Sequence, residues 1–241
     1  MAAKNEKKVA LVTGAASGLG FAIARQLGEK GVSVVIGART LDKATAAAER
    51  LKRDGLEVTP VKLDVTNEAD IAALPAFFER NFGRLDILVN NAGVELEHTG
   101  ETTAQQLRDT FETNTIAPYA ITRALLPLLK RSPAGRIVNH SSVLGSIETQ
   151  TRGNVGSWAL KYGYNASKAA LNMITVVFAN ELKGTNVKVN AAHPGWVKTK
   201  LGGEQAPVDP REGAKTAVEL ALLPDDGPSG AYMHNGKRIP W

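Results

Sequence analysis

The sequence predicts an α/β fold built on a doubly wound parallel sheet with helices on both faces. Short apolar segments rich in β-branched residues alternate with helical patterns along the whole chain. Such alternation is typical of βαβ units and of a parallel sheet. Since no linker, repeat or low-complexity segment interrupts the pattern, we expect residues 1–241 to form a single domain.

Seven segments are expected to form the strands. The first reads KVALVT, which is apolar enough to be buried on both faces of a sheet. In chain order, the seven segments are residues 8–13, 32–38, 57–63, 85–89, 135–140, 186–193 and 229–233.

Helical patterns lie between these strands. Asp42 and Asn67 are expected to cap the second and third helices, and Pro75 is expected to kink or divide the third. Asn114 lies between or within two helical stretches, where it either caps the second or is an interior asparagine. The helical segments are residues 21–30, 43–52, 67–81, 103–113, 115–130, 164–183 and 211–223, and residues 143–163 predict a loop.

Composition excludes several classes of protein. The 241 residues are 43% hydrophobic and 22% charged, and none is a cysteine. The absence of cysteine excludes disulfides, thiolate nucleophiles and thiolate metal sites, and it fits a reducing, cytoplasmic location. No stretch approaches the roughly 18 apolar residues that span a membrane, so no membrane partner is expected.

Charge and histidine content exclude other partners. The net charge is +5, from 29 basic and 24 acidic residues. The basic residues are scattered, so no nucleic acid is expected, while a positive balance suits an anionic cofactor. The four histidines have no metal-ligand spacing; we expect no metal site, and a structural role for His140 and His193.

A glycine-rich turn, GAASGLG at residues 14–20, lies between the first strand and the first helix. In that context glycines let the main chain approach a phosphate, and the helix N-terminus offers free N–H groups. The spacing, Gly-x-x-x-Gly-x-Gly, differs from the Gly-x-Gly-x-x-Gly of most dinucleotide folds. We therefore expect phosphate binding at this turn.

Arg39 directly follows the second strand, where a βαβ unit meets the ribose of a bound dinucleotide. An acidic residue here favours NAD, whereas an arginine suits the 2′-phosphate of NADP. Arg39 could otherwise be an ordinary solvated loop residue.

Polar and small residues follow several strands, at the edge where open α/β sheets bind ligands. The fourth strand runs into Asn90-Asn91-Ala92-Gly93 and the fifth into Ser141-Ser142. The third ends in Asp64-Val65, and the sixth in Pro194-Gly195. These strand ends predict a site at the carboxyl edge of the sheet.

Tyr164 and Lys168 lie four residues apart at the start of a predicted helix, and therefore on one face. A fixed ammonium beside a phenol favours the phenolate and lowers the tyrosine pKa. A phenol tuned in this way can exchange a proton with a carbonyl or alcohol oxygen. The spacing alone recurs by chance, so its weight depends on the other motifs.

Taken together, these motifs resemble those of the short-chain dehydrogenase/reductase family. The resemblance spans most of the chain and implies NAD(P)-dependent chemistry on a Rossmann-like fold, in which alcohols and carbonyls are interconverted. The matching motifs, in order, are TGAASGLG at 13–20, Asp64-Val65, NNAG at 90–93, Asn114, Ser141-Ser142, YNASK at 164–168 and PGWVKT at 194–199.

The resemblance also implies roles for individual residues. Tyr164 would protonate the ketone oxygen, Lys168 would lower the tyrosine pKa and hold the nicotinamide ribose, and Ser142 would hydrogen-bond the carbonyl. Asn114 would hold a water in a proton relay behind Lys168. The implied cofactor-binding residues are Gly14, Ser17, Gly18, Leu19, Gly20, Arg39, Asp64, Val65, Asn90, Ala92, Gly93, Tyr164, Lys168, Pro194, Gly195, Val197 and Thr199.

Arg39 falls where NADP-preferring members of the family keep an arginine, so NADP(H) is the expected cofactor. The basic residue that such members carry inside the glycine turn is missing, because Ala15 and Ala16 stand there. PGWVKT and the segment from Pro210 to Trp241 resemble the carbonyl reductase branch, which reduces aldehydes, ketones and quinones with NADPH.

Residues 146–161 form an insertion before the helix of Tyr164, which in carbonyl reductases covers the surface used for oligomerisation. The insertion is shorter here, so a monomer is favoured and a homodimer or homotetramer remains open. Aromatic residues next to the site, Trp158, Tyr162 and Trp196, predict the pocket for a small carbonyl substrate.

Two alternatives remain at this stage. One is an alcohol or hydroxysteroid dehydrogenase that acts mainly in the oxidative direction, since the same residues serve both directions. The other is a non-catalytic NADP-binding redox sensor. Such sensors often lack the tyrosine or the lysine, and this chain has both.

Overall fold

In the part of the chain that the structure describes, eight strands form one sheet in the order β3-β2-β1-β4-β5-β6-β7-β8. The computed structural model describes residues 7–97, 102–153, 156 and 160–241. Strands β1 to β7 pair in parallel, as predicted, and β8 adds an antiparallel edge. The strands are β1 Val9–Thr13, β2 Ser33–Ala38, β3 Val58–Lys62, β4 Ile87–Asn90, β5 Arg136–His140, β6 Lys188–Ala192, β7 Tyr232–His234 and β8 Lys237–Arg238.

Helices cover the connections between the strands. A π-helical stretch, Glu112–Ile116, joins α4 to α5, and a 3-10 turn, Val143–Gly145, follows β5. The helices are α1 Gly18–Glu29, α2 Leu41–Arg53, α3 Glu68–Asn81, α4 Ala104–Phe111, α5 Ala117–Arg131, α6 Ile147–Thr151, α7 Tyr162–Glu181 and α8 Pro210–Ala221. The segment 143–163 thus holds more helix than the sequence predicted.

Two expectations about helix ends had different outcomes. Asn67 caps α3, since its side chain accepts a hydrogen bond from the Asp70 N–H at 3.1 Å. The expectation for Asp42 was wrong: Thr40 caps α2 through the Lys43 N–H, and Asp42 lies in the first turn. In the first turn the negative charge of the Asp42 carboxylate is still favourable, because the N-terminal end of the helix dipole is positive. Helix α3 continues through Pro75 without division.

The core has two layers, one on each face of the sheet. Successive strand residues point to opposite faces, so Val12 packs with Ile23 and Leu27, while Leu11 packs with Phe78. Each fully buried large aliphatic side chain contributes about 1.5–3 kcal/mol. The two layers hold the carboxyl ends of the strands in one rigid edge.

Between the described ends of the chain, leaving aside 98–101, 154–155 and 157–159, no helix is long and apolar enough to cross a membrane.

Candidate active site

The strand order changes direction at β1, which pairs with β2 on one side and β4 on the other. In a doubly wound sheet, the carboxyl ends of the strands beside such a switch point form a ligand crevice. The glycine turn follows β1, the NNAG motif begins in β4, and the serine pair follows β5. All three therefore lie along one edge.

The glycine turn has the geometry of a phosphate cradle. Gly14 and Gly18 have φ values of 64° and 56°, which disfavour other residues. A Cβ on Gly14 would lie 2.9 Å from the Ala92 main chain, and one on Gly20 would lie 2.4 Å from Asn91 Nδ2. The turn therefore packs directly against the NNAG motif.

The N-terminus of α1 is left without a side-chain cap. Ser17 occupies the N-cap position but accepts no hydrogen bond from the helix, and the first turn carries no acidic residue. The N–H groups of Gly18, Leu19 and Gly20 lie in this turn. An uncapped helix start after a close-packed glycine turn fits the pyrophosphate of a dinucleotide.

Thr13 and Asn91 hold the strand ends together, and the sequence reasoning assigned a role to neither. Thr13 Oγ1 accepts hydrogen bonds from the Asn91 and Ala92 N–H groups, both at 3.0 Å. Asn91 Nδ2 donates to the Thr13 oxygen at 2.9 Å, and Asn91 Oδ1 faces His140 Nδ1 at 3.2 Å. Asn91 thus joins the ends of β1, β4 and β5. In the sequence, the indication was that Thr13 lies in the TGAASGLG motif and Asn91 in the NNAG motif.

Asn90 lies inside the sheet. Its Nδ2 donates to Asn139 Oδ1 on β5 at 2.8 Å and to Thr122 Oγ1 at 3.2 Å, and the residue is only 2% exposed. Because the side chain bonds inside the sheet, a contact between Asn90 and the cofactor would have to come from its main chain, and this contact stays a prediction.

Asn114 is fully buried within the π-helical stretch, so the alternative that it caps a helix is wrong. Its Oδ1 accepts from the Val94 N–H and its Nδ2 donates to the Val94 oxygen, both at 2.8 Å. Nδ2 also donates to Ser167 Oγ at 3.0 Å. These bonds fix the chain after β4 against α7. A single wide helical turn of this kind is frequent at functional sites.

Gly93 lies between Asn114 and Lys168. A Cβ at Gly93 would be 3.3 Å from Asn114 Oδ1 and 3.5 Å from Lys168 Nζ. Asn114 and Lys168 therefore approach the same small space, as a proton relay between them requires. The relay itself stays a prediction.

Tyr164 and Lys168 share one face of α7, as their spacing predicted. Lys168 Nζ lies 5.7 Å from the centre of the Tyr164 ring and donates to the His140 oxygen at 2.8 Å. Lys168 is 5% exposed. The bond to His140 ties α7 to the end of β5, beside the serine pair.

Burial dominates both pKa values. It raises the pKa of Tyr164 to about 12, with the Ser142 hydroxyl acting in the opposite direction and the Glu95 carboxylate adding to the rise. Burial also lowers the pKa of Lys168 to about 8. The sequence predicted a lowered tyrosine pKa; the shift has the opposite direction because lost hydration outweighs the hydrogen bond with Ser142. The phenol is therefore protonated near neutral pH.

The two serines face different neighbours. Ser142 Oγ accepts from the Leu144 N–H at 3.3 Å, at the start of the 3-10 turn, and its hydroxyl influences Tyr164. Ser141 Oγ instead donates to the Lys168 main-chain oxygen at 3.5 Å. Ser142, rather than Ser141, is therefore the serine whose hydroxyl acts on Tyr164, and its contact with a substrate stays a prediction.

Glu97 anchors the start of α7, and no motif in the sequence pointed to it. Its carboxylate accepts a 2.8 Å hydrogen bond from the Tyr164 N–H and is 4% exposed. Burial raises the pKa of Glu97, but hydrogen bonds from Thr102 and from the Tyr164 and Gly163 N–H groups outweigh it and lower the pKa overall. A buried carboxylate from a distant loop thus sets the position of Tyr164.

The segment after β6, from Pro194 to Thr199, also lies at the carboxyl edge of the sheet. Gly195 has a φ of 83°, and Val197 is buried and bridges Val208. A Cβ on Gly18 would lie 3.4 Å from Thr199 Cγ2, so this segment faces the glycine turn. The cofactor-binding residues expected after β6, Pro194 among them, therefore adjoin the glycine turn that is expected to bind phosphate.

The outer residues of the predicted cofactor site lie beyond β2 and β3. Arg39 is exposed and makes no hydrogen bond or ion pair with any residue in the described part of the chain. Asp64 Oδ1 accepts from the Thr66 hydroxyl at 2.8 Å, while Val65 is buried. Arg39 is therefore free to meet a ligand.

The predicted substrate pocket has weaker support. Trp158 lies outside the described residues. Tyr162 is 77% exposed at the first position of α7, so its side chain points to solvent rather than into the site. Trp196 is 47% exposed and its Nε1 donates to the Gly202 oxygen at 2.7 Å. Trp196 is thus held at the rim of the edge.

His140 and His193 are held in the neutral form. Burial, followed by the charges of Lys168 and His193, lowers the pKa of His140 to about 3. Burial, followed by the charge of His234, lowers the pKa of His193 to about 3. His193 Nδ1 accepts from the Val143 N–H at 3.3 Å. Within the described ranges, no group of three or more histidine or acidic side chains could hold a metal ion.

The fold and the site define an oxidoreductase that acts on CH–OH and C=O groups with a nicotinamide dinucleotide. The family model described as short chain dehydrogenase matches residues 8–208. The chain belongs to the short-chain dehydrogenase/reductase family.

Individual relatives are similar over nearly the full chain. Carbonyl reductase [NADPH] 1 of Mus musculus is 33% identical over 98% of this chain and 99% of the mouse protein. The structure of an NADPH-bound carbonyl reductase from chicken fatty liver is 29% identical, with a TM-score of 0.85 over 98% and 100% of the two chains. Salutaridine reductase from Papaver somniferum is 29% identical, with a TM-score of 0.83 over 94% and 99%.

Proposed function

We propose that this protein is an NADPH-dependent carbonyl reductase that converts aldehydes, ketones or quinones to alcohols. The observation that carries the proposal is the convergence of Tyr164, Ser142 and Lys168 beside the segment that faces the glycine turn. A proton donor, a hydroxyl and a buried ammonium are what carbonyl reduction requires around the reacting oxygen.

The residues present fit a dinucleotide. The uncapped start of α1 and the close-packed glycines suit the pyrophosphate. Lys168 would hold the nicotinamide ribose, the main chain of Asn90 would contact a ribose, and Pro194 to Thr199 would hold the nicotinamide ring. When bound, NADPH supplies the hydride for the carbonyl carbon.

The protein groups would bind, polarise and protonate the carbonyl. Ser142 donates a hydrogen bond to the carbonyl oxygen, and Tyr164 transfers its phenolic proton to that oxygen as negative charge develops there. Lys168 stabilises the resulting phenolate. The raised pKa of Tyr164, about 12, leaves the phenol protonated near neutral pH, which is the form that can donate a proton.

NADP rather than NAD is supported by Arg39. This side chain is exposed directly after β2 and has no partner among the residues that the structure describes. An arginine can bind a 2′-phosphate through two parallel hydrogen bonds. The names of the mouse relative and the chicken structure both carry NADPH.

The test is turnover of NADPH and of NADH against a panel of aldehydes, ketones and quinones. We expect NADPH-dependent reduction, and Tyr164→Phe should lower kcat/KM by about 10²- to 10⁴-fold while the Kd for NADPH stays unchanged. Tyr119→Phe is the matched control, since Tyr119 lies on α5, is 44% exposed and should tolerate the loss of its hydroxyl.

Three outcomes would contradict the proposal. Turnover of alcohols with NADP⁺ but no carbonyl reduction would favour the oxidative dehydrogenase. Preference for NADH would reverse the choice of cofactor. Equal activity of Tyr164→Phe and wild type would remove Tyr164 as the acid.

A further inference from the structure

Trp241 contacts two parts of the fold that are distant from each other in the sequence. Its main-chain oxygen accepts hydrogen bonds from the Glu148 N–H at 3.0 Å and from Ser146 Oγ at 3.1 Å. Its indole stacks on the Tyr232 ring, with the ring centres 5.3 Å apart and the planes 19° from parallel. Trp241 therefore links the start of α6 to β7.

Tyr232 connects Trp241 to the candidate active site. It is 1% exposed, and its hydroxyl has no hydrogen-bond partner among the described side chains and main chain. Burial raises the pKa of Tyr232, while the Ser141 hydroxyl acts in the opposite direction and Tyr164 adds to the rise. The Tyr232 hydroxyl thus interacts electrostatically with Ser141 and Tyr164, and Trp241 stacks on its ring.

The residues that Trp241 contacts at the start of α6 are connected to Ser142 by a short turn. The Gly145 N–H donates to the Ser142 oxygen at 2.8 Å, and the Ser146 N–H donates to the Val143 oxygen at 3.0 Å. Ser146 is fully buried, and its Oγ also accepts from the Thr149 N–H at 3.1 Å. Only three residues, tied by these turn hydrogen bonds, separate Ser142 from Ser146.

We propose that Trp241 is a positioning residue for carbonyl binding, which holds the 143–153 segment against β7 and thereby fixes Ser142 beside Tyr164. The inference rests on the proposed function in one respect, namely that Ser142 binds the carbonyl oxygen. Trp241 itself need not touch the substrate. Its contacts restrict the movement of the turn that begins at Ser142, the residue that donates the hydrogen bond to the carbonyl.

The kinetic test compares Trp241→Ala with Trp241→Phe. The alanine variant keeps the main-chain oxygen but loses the ring stack, so we expect KM for the carbonyl to rise about tenfold or more. The Kd for NADPH should stay within about twofold of wild type, because the glycine turn lies elsewhere on the edge. Trp241→Phe retains a stacking ring and should restore most of the affinity.

The structural test is amide hydrogen exchange in the cofactor-free protein. Trp241→Ala should accelerate exchange in residues 143–153, the Glu148 N–H above all, and leave α1 and β1 unchanged. Tyr119→Ala is the matched control, because it removes another ring contact, to Phe178 at 5.8 Å, from a helix outside the segment. It should leave exchange in 143–153 unchanged.

The two readouts separate failure of this inference from failure of the proposed function. Unchanged exchange in 143–153 on Trp241→Ala would overturn the link itself, whatever reaction the enzyme performs. Faster exchange with an unchanged carbonyl KM would overturn the positioning role. If wild type reduced no carbonyl on the panel, the proposed function would fail, and the same comparison would be run on the alcohol KM with NADP⁺. A rise in that KM, with rescue by phenylalanine, would support the inference, and an unchanged value would overturn it.

Discussion

The ammonium of Lys168 lies 5.7 Å from the centre of the Tyr164 ring, inside a region where burial shifts both pKa values towards the neutral forms. The tyrosine keeps its proton until about pH 12, and the lysine loses its charge from about pH 8. Therefore, only below the pKa of Lys168 can Tyr164 donate its proton while Lys168 is charged and able to stabilise the phenolate.

The pH dependence of reduction follows from this pair. Below about pH 8 both groups are protonated, so the rate of carbonyl reduction should be nearly constant. Above that pH the Lys168 charge is lost, and we expect kcat/KM to fall although Tyr164 still carries its proton. A pH–rate profile between about pH 6 and 10 checks this, since its upper limb reports the group in the free enzyme.

Lys168→Arg is the control for that assignment. An arginine stays charged throughout the range, so the variant's residual activity should show no decline near pH 8. A decline at the same pH in both proteins would assign it to another group.

Gly20 leaves no room for a side chain. A Cβ there would meet Asn91 Nδ2 at 2.4 Å and the Gly14 oxygen at 2.6 Å. Gly20→Ala should therefore displace the glycine turn and weaken NADPH binding by about tenfold or more. Gly28→Ala makes the same change in the same helix, where a Cβ meets only the Leu56 side chain, at 3.2 Å or more. It should leave the Kd for NADPH unchanged when both are titrated by fluorescence.

Arg39 should decide between the two dinucleotides. Hydrogen bonds to charged groups contribute about 1.5–3 kcal/mol, so Arg39→Asp should weaken NADPH binding by roughly 10- to 150-fold. NADH binding should change little or improve, because the carboxylate can accept hydrogen bonds from the ribose hydroxyls. Titration of both cofactors measures the preference; equal weakening for NADPH and NADH would show that Arg39 does not contact the 2′-phosphate.

The parts of the site that sequence could predict are those with local signals. β-branched runs marked the ends of β1 and β5, and the glycine spacing marked the turn after β1. Glu97 and Trp241 gave no such signal, because their partners lie 67 residues away at Tyr164 and 95 residues away at Ser146. Burial of the phenol, which reverses the expected pKa shift of Tyr164, likewise depends on the whole fold.

Glu97 should matter for activity through the position of α7. Glu97→Gln removes the charge that accepts the Tyr164 N–H, and losing a charged hydrogen bond in a buried place costs about 1–3 kcal/mol. We expect a lower melting temperature together with a lower kcat at unchanged Kd for NADPH. Glu219→Gln is the control, because Glu219 is exposed on α8. Loss of stability with an unchanged kcat would limit Glu97 to a structural role.

Acid stability should be set by His140 and His193 at pH values just below neutral. Both have folded pKa values near 3, below the ordinary value of 6.5. Below about pH 6.5 the unfolded chain binds more protons than the folded chain, so stability falls as pH falls. At about pH 5.5, one unit below the unfolded pKa, each histidine contributes a loss of roughly 1 kcal/mol, and the two together roughly 2–3 kcal/mol.

Urea unfolding at about pH 7.5 and pH 5.5 measures this loss. His140→Gln stays neutral at both pH values, and its amide can still donate to Asn91 Oδ1. The variant should therefore lose only about half as much stability as wild type on acidification, the remainder coming from His193. An identical loss in wild type and variant would mean that His140 gains its proton in the folded protein at an ordinary pH, and that Asn91 and the strand ends rearrange to admit the charge.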